Sequence, residues 1–475
     1  MTQAAQHDQP VTTVDVVTDD ALGGDDVVGL LERLGRREVS AAELQSAARA
    51  RAERANAALN AVATWVEPGQ APPGEGPFAG VPTLLKDNED LAGLPSSQGS
   101  AAVPGRPATA SSPWTSQFLA LGFAPLAKTT LPEFGLTAST ESTRFGATAN
   151  PWHTGRSAGG SSGGSAALVA AGVVPLAHGN DGGGSIRIPA SCCGLVGLKP
   201  SRGRLVDLPE LARLPVPITV QGVLSRTVRD TALYYAEAER LYRDGSLPPV
   251  GLVTAPGAAR LRVGVVLEAS RGIGVAPDVV AAVTATGRLL ESLGHHVEQT
   301  EVPAGDAFGP DFLRYWALLS FGLQHAGGRL YGEGFDASRT EALTQGLSRF
   351  ASRHALGVPG SLRRLRRLAA APEAWTQRYD VLVSPVLAHE PPPLGYLGPD
   401  TDVHEHVVRL LRFASFTAWQ NVTGAPGLSL PLGRSASGLP IGVHLGAPRG
   451  HERRLLELGL ELEAAAPWPT TPAAA

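Results

Sequence analysis

Ser185 and Lys86 are the two residues of this 475-residue chain whose types and settings most suggest chemistry. Ser185 follows three consecutive glycines in Asp181-Gly182-Gly183-Gly184-Ser185-Ile186-Arg187. A glycine lets a ligand approach main-chain N–H groups that a Cβ would shield, and donors aimed beside an attacking atom make an oxyanion hole. Ser185 is therefore the expected nucleophile of an acyl transfer. Its hydroxyl attacks only once a base has taken its proton. The histidine nearest this loop, His178, precedes the glycines, so the base is expected from elsewhere in the chain. Lys86 ends the apolar run 81–85, which reads as a buried strand, and burial turns a lysine into a base by penalising its charged form. Asp181 and Arg187 flank the nucleophile and are expected to pair, holding the shape of the loop.

The elements around these residues must position them. A second small-residue loop, Gly159-Gly160-Ser161-Ser162-Gly163-Gly164-Ser165, lies upstream, and the apolar, helix-compatible run 166–177 joins the two loops as one buried element. Earlier, residues 27–34 form an apolar stripe that Gly35 ends, and Ser40-Ala41-Ala42-Glu43 is a capping box opening a helix to about residue 56. A strand is expected from about residue 59, a surface loop over 68–77, a helix over 114–121 and a strand over 124–128. Downstream, strand 261–266, helix 277–293 and strand 296–302 read as a β-α-β pattern. Helices are expected over 312–330, 340–368 and 452–464, and a buried strand over 379–385.

The stretches Gly159 to Ser165 and Asp181-Gly182-Gly183-Gly184-Ser185-Ile186-Arg187-Ile188-Pro189-Ala190, with residues 194–199, resemble the signature of the amidase signature family, and Lys86-Asp87 resembles its lysine motif. The intervals between Lys86, Ser161 and Ser185 also resemble the family's spacing. The likeness covers about residues 25–235 and 375–468. It implies a Ser-Ser-Lys triad in which Ser185 is acylated, Ser161 follows a cis peptide bond and bridges, and neutral Lys86 is the base. It implies an oxyanion hole from the N–H groups of Gly182, Gly183, Gly184 and Ser185, supported by Ser162, Asp181 and Arg187. The activity implied is amide hydrolysis through an acyl-enzyme, on a small-molecule amide, with no metal or organic cofactor. The fold implied is a single large α/β/α sandwich around a mixed, mostly parallel twisted sheet. Many members carry Thr where this chain has Gly182, and the glycine suggests a branch that includes hydrolases of non-peptide linear and cyclic amides.

One amidase-like domain is expected over residues 23–470, with its signature core at about 80–235 and a variable, specificity-setting region at about 206–396. Residues 1–22 read as disordered. Hydrophobic residues make up 43% of the chain, enough for a large core, and the formal net charge of −4 gives no basic footprint for nucleic acid. No apolar run is long enough for a membrane span and the first ten residues lack a signal-peptide core, so a soluble, cytoplasmic protein is expected, with a homodimer possible. Cys192 and Cys193 read as buried fillers.

Three other readings compete. Gly160-Ser161-Ser162-Gly163-Gly164 also fits the nucleophile elbow of α/β-hydrolases, with Ser162 attacking and His444 or His451 as base. The loops could cradle a phosphate, although no Gly-Lys-Ser/Thr follows the glycines. The chain could also be the amidotransferase subunit of a larger complex, although Ile188 stands where that branch tends to carry glutamine. Glu133 is expected either to orient Lys86 or an incoming amine, or to serve as a structural acceptor. Tyr315, Trp316, Phe321 and Tyr331 are candidates for an acyl-pocket wall or for core. Arg363, Arg364, Arg366 and Arg367 read as a solvated helix face, with an acidic-substrate site as the alternative.

Overall fold

The computed structural model describes residues 12–71, 74–269, 272–370 and 374–474. Its centre is an eight-stranded mixed sheet. In spatial order the strands are His296–Gln299, Arg262–Val265, Val381–Pro385, Pro440–Gly446, Gly427–Arg434, Val196–Lys199, Val220–Ser225 and Leu176–Asp181. Helices cover both faces, because successive residues of a strand point to opposite sides. Gly427 faces Arg187 of the helix Arg187–Cys193, whereas Leu428 faces Gly459 of the helix Glu452–Ala465. The architecture is thus the expected α/β/α sandwich.

The expectation of a mostly parallel sheet is corrected: five of the seven neighbouring pairs run antiparallel. The β-α-β unit of residues 262–299 does pair in parallel, with the helix Pro277–Ser292 as crossover. Leu176–Asp181 and Val196–Lys199 also run the same way, but Val220–Ser225 inserts between them and opposes both. Gly427–Arg434 and Pro440–Gly446 are joined by a short loop and can only oppose each other.

A smaller sheet orders the strands Val62–Trp65, Ala124–Thr129 and Pro82–Lys86, the last two in parallel. It abuts the edge strand Leu176–Asp181, where Thr83 Oγ1 donates to Leu176 O at 3.0 Å. Lys86 is thereby carried to the edge of the main sheet.

The run 166–177 is two elements, a helix Gly163–Ala170 and the start of the strand Leu176–Asp181. Between them Gly172 takes φ +84°, a conformation that turns the chain where a β-carbon would strain it. The helix begins inside the first glycine–serine loop, and its glycines serve packing. A Cβ on Gly164 would stand 2.5 Å from Thr130 Oγ1, and one on Gly163 2.3 Å from Thr140 Oγ1.

Of the N-terminal stretch expected to be disordered, residues 1–11 lie outside the described residues. Residues 12–22 form neither helix nor strand, yet they are pinned. Val16 N–H donates to Ala171 O, and buried Arg51 holds Asp20 through Nε at 2.8 Å and Thr18 O through Nη2 at 3.0 Å. The capping box forms as expected, with Ser40 accepting from Glu43 N–H and Glu43 accepting from Ser40 N–H. The helical stretch 340–368 is broken at 354–357 into Ala342–Arg353 and Val358–Ala370. Among the described residues no helix is long and apolar enough to cross a membrane.

Candidate active site

Lys86 is the last residue of its strand and is completely buried. Its Nζ lies 2.7 Å from Ser161 Oγ and 2.7 Å from Asn180 Oδ1. Both partners are uncharged, so nothing in direct contact repays the removal of an ammonium from water. Burial lowers the Lys86 pKa to about 7, and the more distant charges of Asp181 and Glu89 offset only part of that. Near neutral pH the lysine is therefore substantially in its free-base form.

Ser161 follows Gly160 through a cis peptide bond. Gly135, on the loop after Pro132, closes over it: a Cβ there would come within 3.0 Å of Ser161 Oγ. The two glycine–serine loops are tied together where Ser162 N–H donates to Ser185 O at 3.2 Å. Ser185 retains 8% exposure against 3% for Ser161 and none for Lys86, so the three grade from the site's mouth inwards.

Asp181 and Arg187 pair as expected, and doubly. Arg187 Nε and Nη2 each reach one carboxylate oxygen at 3.0 Å, with both residues fully buried. Burial raises the Asp181 pKa, but the Arg187 charge and its hydrogen bonds outweigh it and hold the group well below the usual carboxylate range. The carboxylate also shapes the nucleophile loop, accepting Gly184 N–H at 2.7 Å and Ile186 N–H at 3.2 Å. This corrects one expected role, because the Gly184 N–H is already committed to Asp181. Gly184 takes φ +136° instead, and a Cβ there would stand 2.3 Å from Thr417 Oγ1.

Several participants had no role assigned from the sequence. Asn180 holds Lys86, and His178, two residues earlier on the same strand face, accepts Lys86 N–H at Nδ1, 3.1 Å away. The alternation of His178 and Asn180 along the buried strand Leu176–Asp181 was the available signal. Asn421 binds Asp181 Oδ1 through Nδ2 and Arg187 Nη2 through Oδ1, and Thr417 Oγ1 donates to Gly183 O. These lie more than 200 residues away in sequence and carry no local signal.

The nucleophile-elbow arrangement is not assembled. Ser162 Oγ is buried and donates to Asn180 O at 3.3 Å, while His444 lies against Ser384 Oγ and Arg187 Nη1, and His451 sits at the start of the helix Glu452–Ala465. Glu133 is a structural acceptor, taking Ser100 Oγ at 2.6 Å and Glu341 N–H at 2.7 Å. Both cysteines are buried fillers, their thiols pushed up by burial. Tyr315 is core, its hydroxyl donating to Val216 O, whereas Trp316 donates through Nε1 to Leu136 O at 3.1 Å and stacks on Phe312. Phe321 stacks on His325, and Tyr331 on Phe134 and Phe335. Phe312, not singled out in the sequence, lies over the glycine loop, 3.6 Å from where a Gly183 Cβ would be. Arg364 grips Asp311 with both Nε and Nη2 at 2.6 Å, so the arginine cluster is only partly a solvated face.

The family model described as Amidase matches residues 30–456. The chain belongs to the amidase family. This amidase is 49% identical to the Mycobacterium leprae (strain TN) protein AmiC, which carries an amidase name, over 95% of this chain and 97% of that one. It is 34% identical to a 6-aminohexanoate-cyclic-dimer hydrolase of Pseudomonas sp. (strain NK87), over 93% of this chain and 95% of the relative. Among solved structures, a 6-aminohexanoate cyclic dimer hydrolase complexed with substrate superposes with a TM-score of 0.85 at 31% identity, covering 95% of this chain and 99% of that one. With full-length relatives of this kind, the amidase is an amide hydrolase, and the amidotransferase reading is not favoured.

Proposed function

We propose that the amidase hydrolyses its substrate through a Ser185 acyl-enzyme, with Ser161 relaying protons to neutral Lys86. Ser185 Oγ attacks the amide carbonyl while its proton passes to Ser161 Oγ and the Ser161 proton passes to Lys86 Nζ. The oxyanion rests on the N–H groups of Gly182, Gly183 and Ser185; Gly184 is left out because its N–H is donated to Asp181. As the C–N bond breaks, Ser161 protonates the leaving nitrogen and recovers a proton from Lys86. Water then attacks the ester and the same relay returns Ser185 to its hydroxyl form. Asp181 and Arg187 keep the loop in shape and take no proton. The observation that carries this reading is the 2.7 Å contact between Ser161 Oγ and a fully buried lysine whose pKa lies near neutrality.

The substrate we propose is a non-peptide linear or cyclic amide with an apolar acyl part. Phe312 beside Gly183 and Trp316 beside Leu136 support an apolar wall from the variable region, and relatives that act on the cyclic dimer of 6-aminohexanoate support the amide class. A screen over aliphatic, aromatic, peptide-terminal and cyclic amides, with Ser185→Ala as the blank, tests both points. The variant is expected to lose about 10⁶-fold in kcat, and fluorophosphonate labelling with it. Labelling retained in Ser185→Ala but lost in Ser162→Ala would return the nucleophile to the elbow position.

A further inference from the structure

Behind Lys86 runs a chain of buried side chains whose polarity admits one solution. The backbone N–H of Lys86 is an obligatory donor, and it points at His178 Nδ1 at 3.1 Å. That nitrogen must therefore be bare. Burial, with Lys86 and Lys128 nearby, lowers the His178 pKa to about 3, so the ring is neutral and its single proton sits on Nε2. His178 Nε2–H then donates to Gln221 Oε1 at 2.9 Å, which turns the Gln221 amide NH₂ outward to Glu89 Oε1 at 2.7 Å. The other Glu89 oxygen accepts from Ser112 Oγ at 2.7 Å, and the Trp114 ring covers His178 with centroids 4.0 Å apart. All four links are buried: Lys86, His178, Gln221 and Glu89. None of the last three has a part in the acyl-transfer steps.

We infer that Glu89 is a positioning residue for Lys86. Through Gln221 and His178 it fixes the end of the lysine's strand, and its carboxylate adds a negative charge that acts on the lysine. Resting on the proposed role of Lys86 as base, this adds a group that sets when the lysine is free to act. The charged groups around Glu89 are Lys86 on its own segment, Asp87 and Asp90 beside it, Lys128 on the neighbouring strand and Asp181 on the edge strand beyond His178. Lys128 is already paired with Asp87 at 3.0 Å and Asp181 with Arg187. Burial raises the Glu89 pKa to about 7, opposed by its bonds from Ser112 and Gln221. The Glu89 charge is one of those that hold the Lys86 pKa up against burial. A carboxylate favours the ammonium form, so removing it should free the lysine at lower pH.

The test is the pH profile of kcat/KM for Glu89→Gln, which keeps an acceptor for Gln221 while deleting the charge. The acid limb is expected to move down by roughly one pH unit with KM little changed. A limb that coincides with wild type overturns the inference, since loss of a merely structural residue lowers activity at every pH alike. Should the variant not fold, ¹⁵N NMR of the wild-type histidines decides. His178 must be protonated at Nε2 and bare at Nδ1 down to pH 5, and the opposite tautomer refutes the chain. Lys86→Ala in the same assay separates the two readings: if it stays active, the base itself is wrong, and if it is dead while Glu89→Gln titrates as wild type, only the role of Glu89 falls.

Discussion

Lys86 and Lys128 stand on paired parallel strands, in adjacent register, and both are wholly buried. Their partners differ. Lys128 Nζ meets the Asp87 carboxylate at 3.0 Å and adds Pro95 O at 2.6 Å and Ser96 Oγ at 2.7 Å. Lys86 Nζ meets only the neutral oxygens of Ser161 and Asn180. The same side chain at the same depth is therefore ion-paired in one place and, in the proposed mechanism, the base in the other. What separates them is whether a carboxylate lies in contact, since only that repays burial of the charge. The chain has just three lysines, Lys86, Lys128 and Lys199, and all are buried, so every exposed cationic side chain outside the histidines is arginine.

The contrast can be broken by exchanging each lysine for methionine. Lys86→Met should lower kcat/KM by about 10²–10⁴-fold, the usual worth of a positioned base, while the unfolding midpoint holds or rises because no amine is then buried. Lys128→Met should cost about 3–5 kcal/mol in denaturant unfolding, since it leaves the Asp87 carboxylate buried without its partner. Replacing both, as Lys128→Met with Asp87→Leu, should recover part of that loss. Activity surviving in Lys86→Met, or stability surviving in Lys128→Met, would erase the distinction. The smallest effect is expected of Asn180→Ala, about tenfold in kcat for one lost hydrogen bond to Lys86 Nζ, with KM unchanged.

The same contrast explains what the sequence could reveal. Lys86 was legible because a lone cation ends an apolar run, and Ser185 because glycines precede it; Asp181 and Arg187 were legible because they bracket one short loop. Lys128 stands in an equally apolar strand, and nothing local tells which lysine has a carboxylate against it. The same limit hid Asn421 and Thr417, which reach the nucleophile loop from the far end of the chain. The commitment of Gly184 N–H to Asp181 depends on how the loop closes. So does the packing duty of Gly163 and Gly164, since glycine patterns alone do not separate close approach from ligand approach. Sheet direction failed for a related reason. The one β-α-β segment named, residues 261–302, does form, but that Val220–Ser225 would insert between two strands running the same way is decided only by tertiary assembly.

The central claim is that Lys86 is a free base near neutral pH, and selective ¹³Cε labelling of lysine tests it directly, because three signals suffice for the whole chain. The signal lost in Lys86→Met identifies the residue. It is expected to titrate near 7, matching a kcat/KM that falls tenfold per unit as pH drops below that point, where the protonated lysine can accept nothing from Ser161. A Lys86 signal that stays protonated to pH 9 or above while the enzyme turns over would contradict the account.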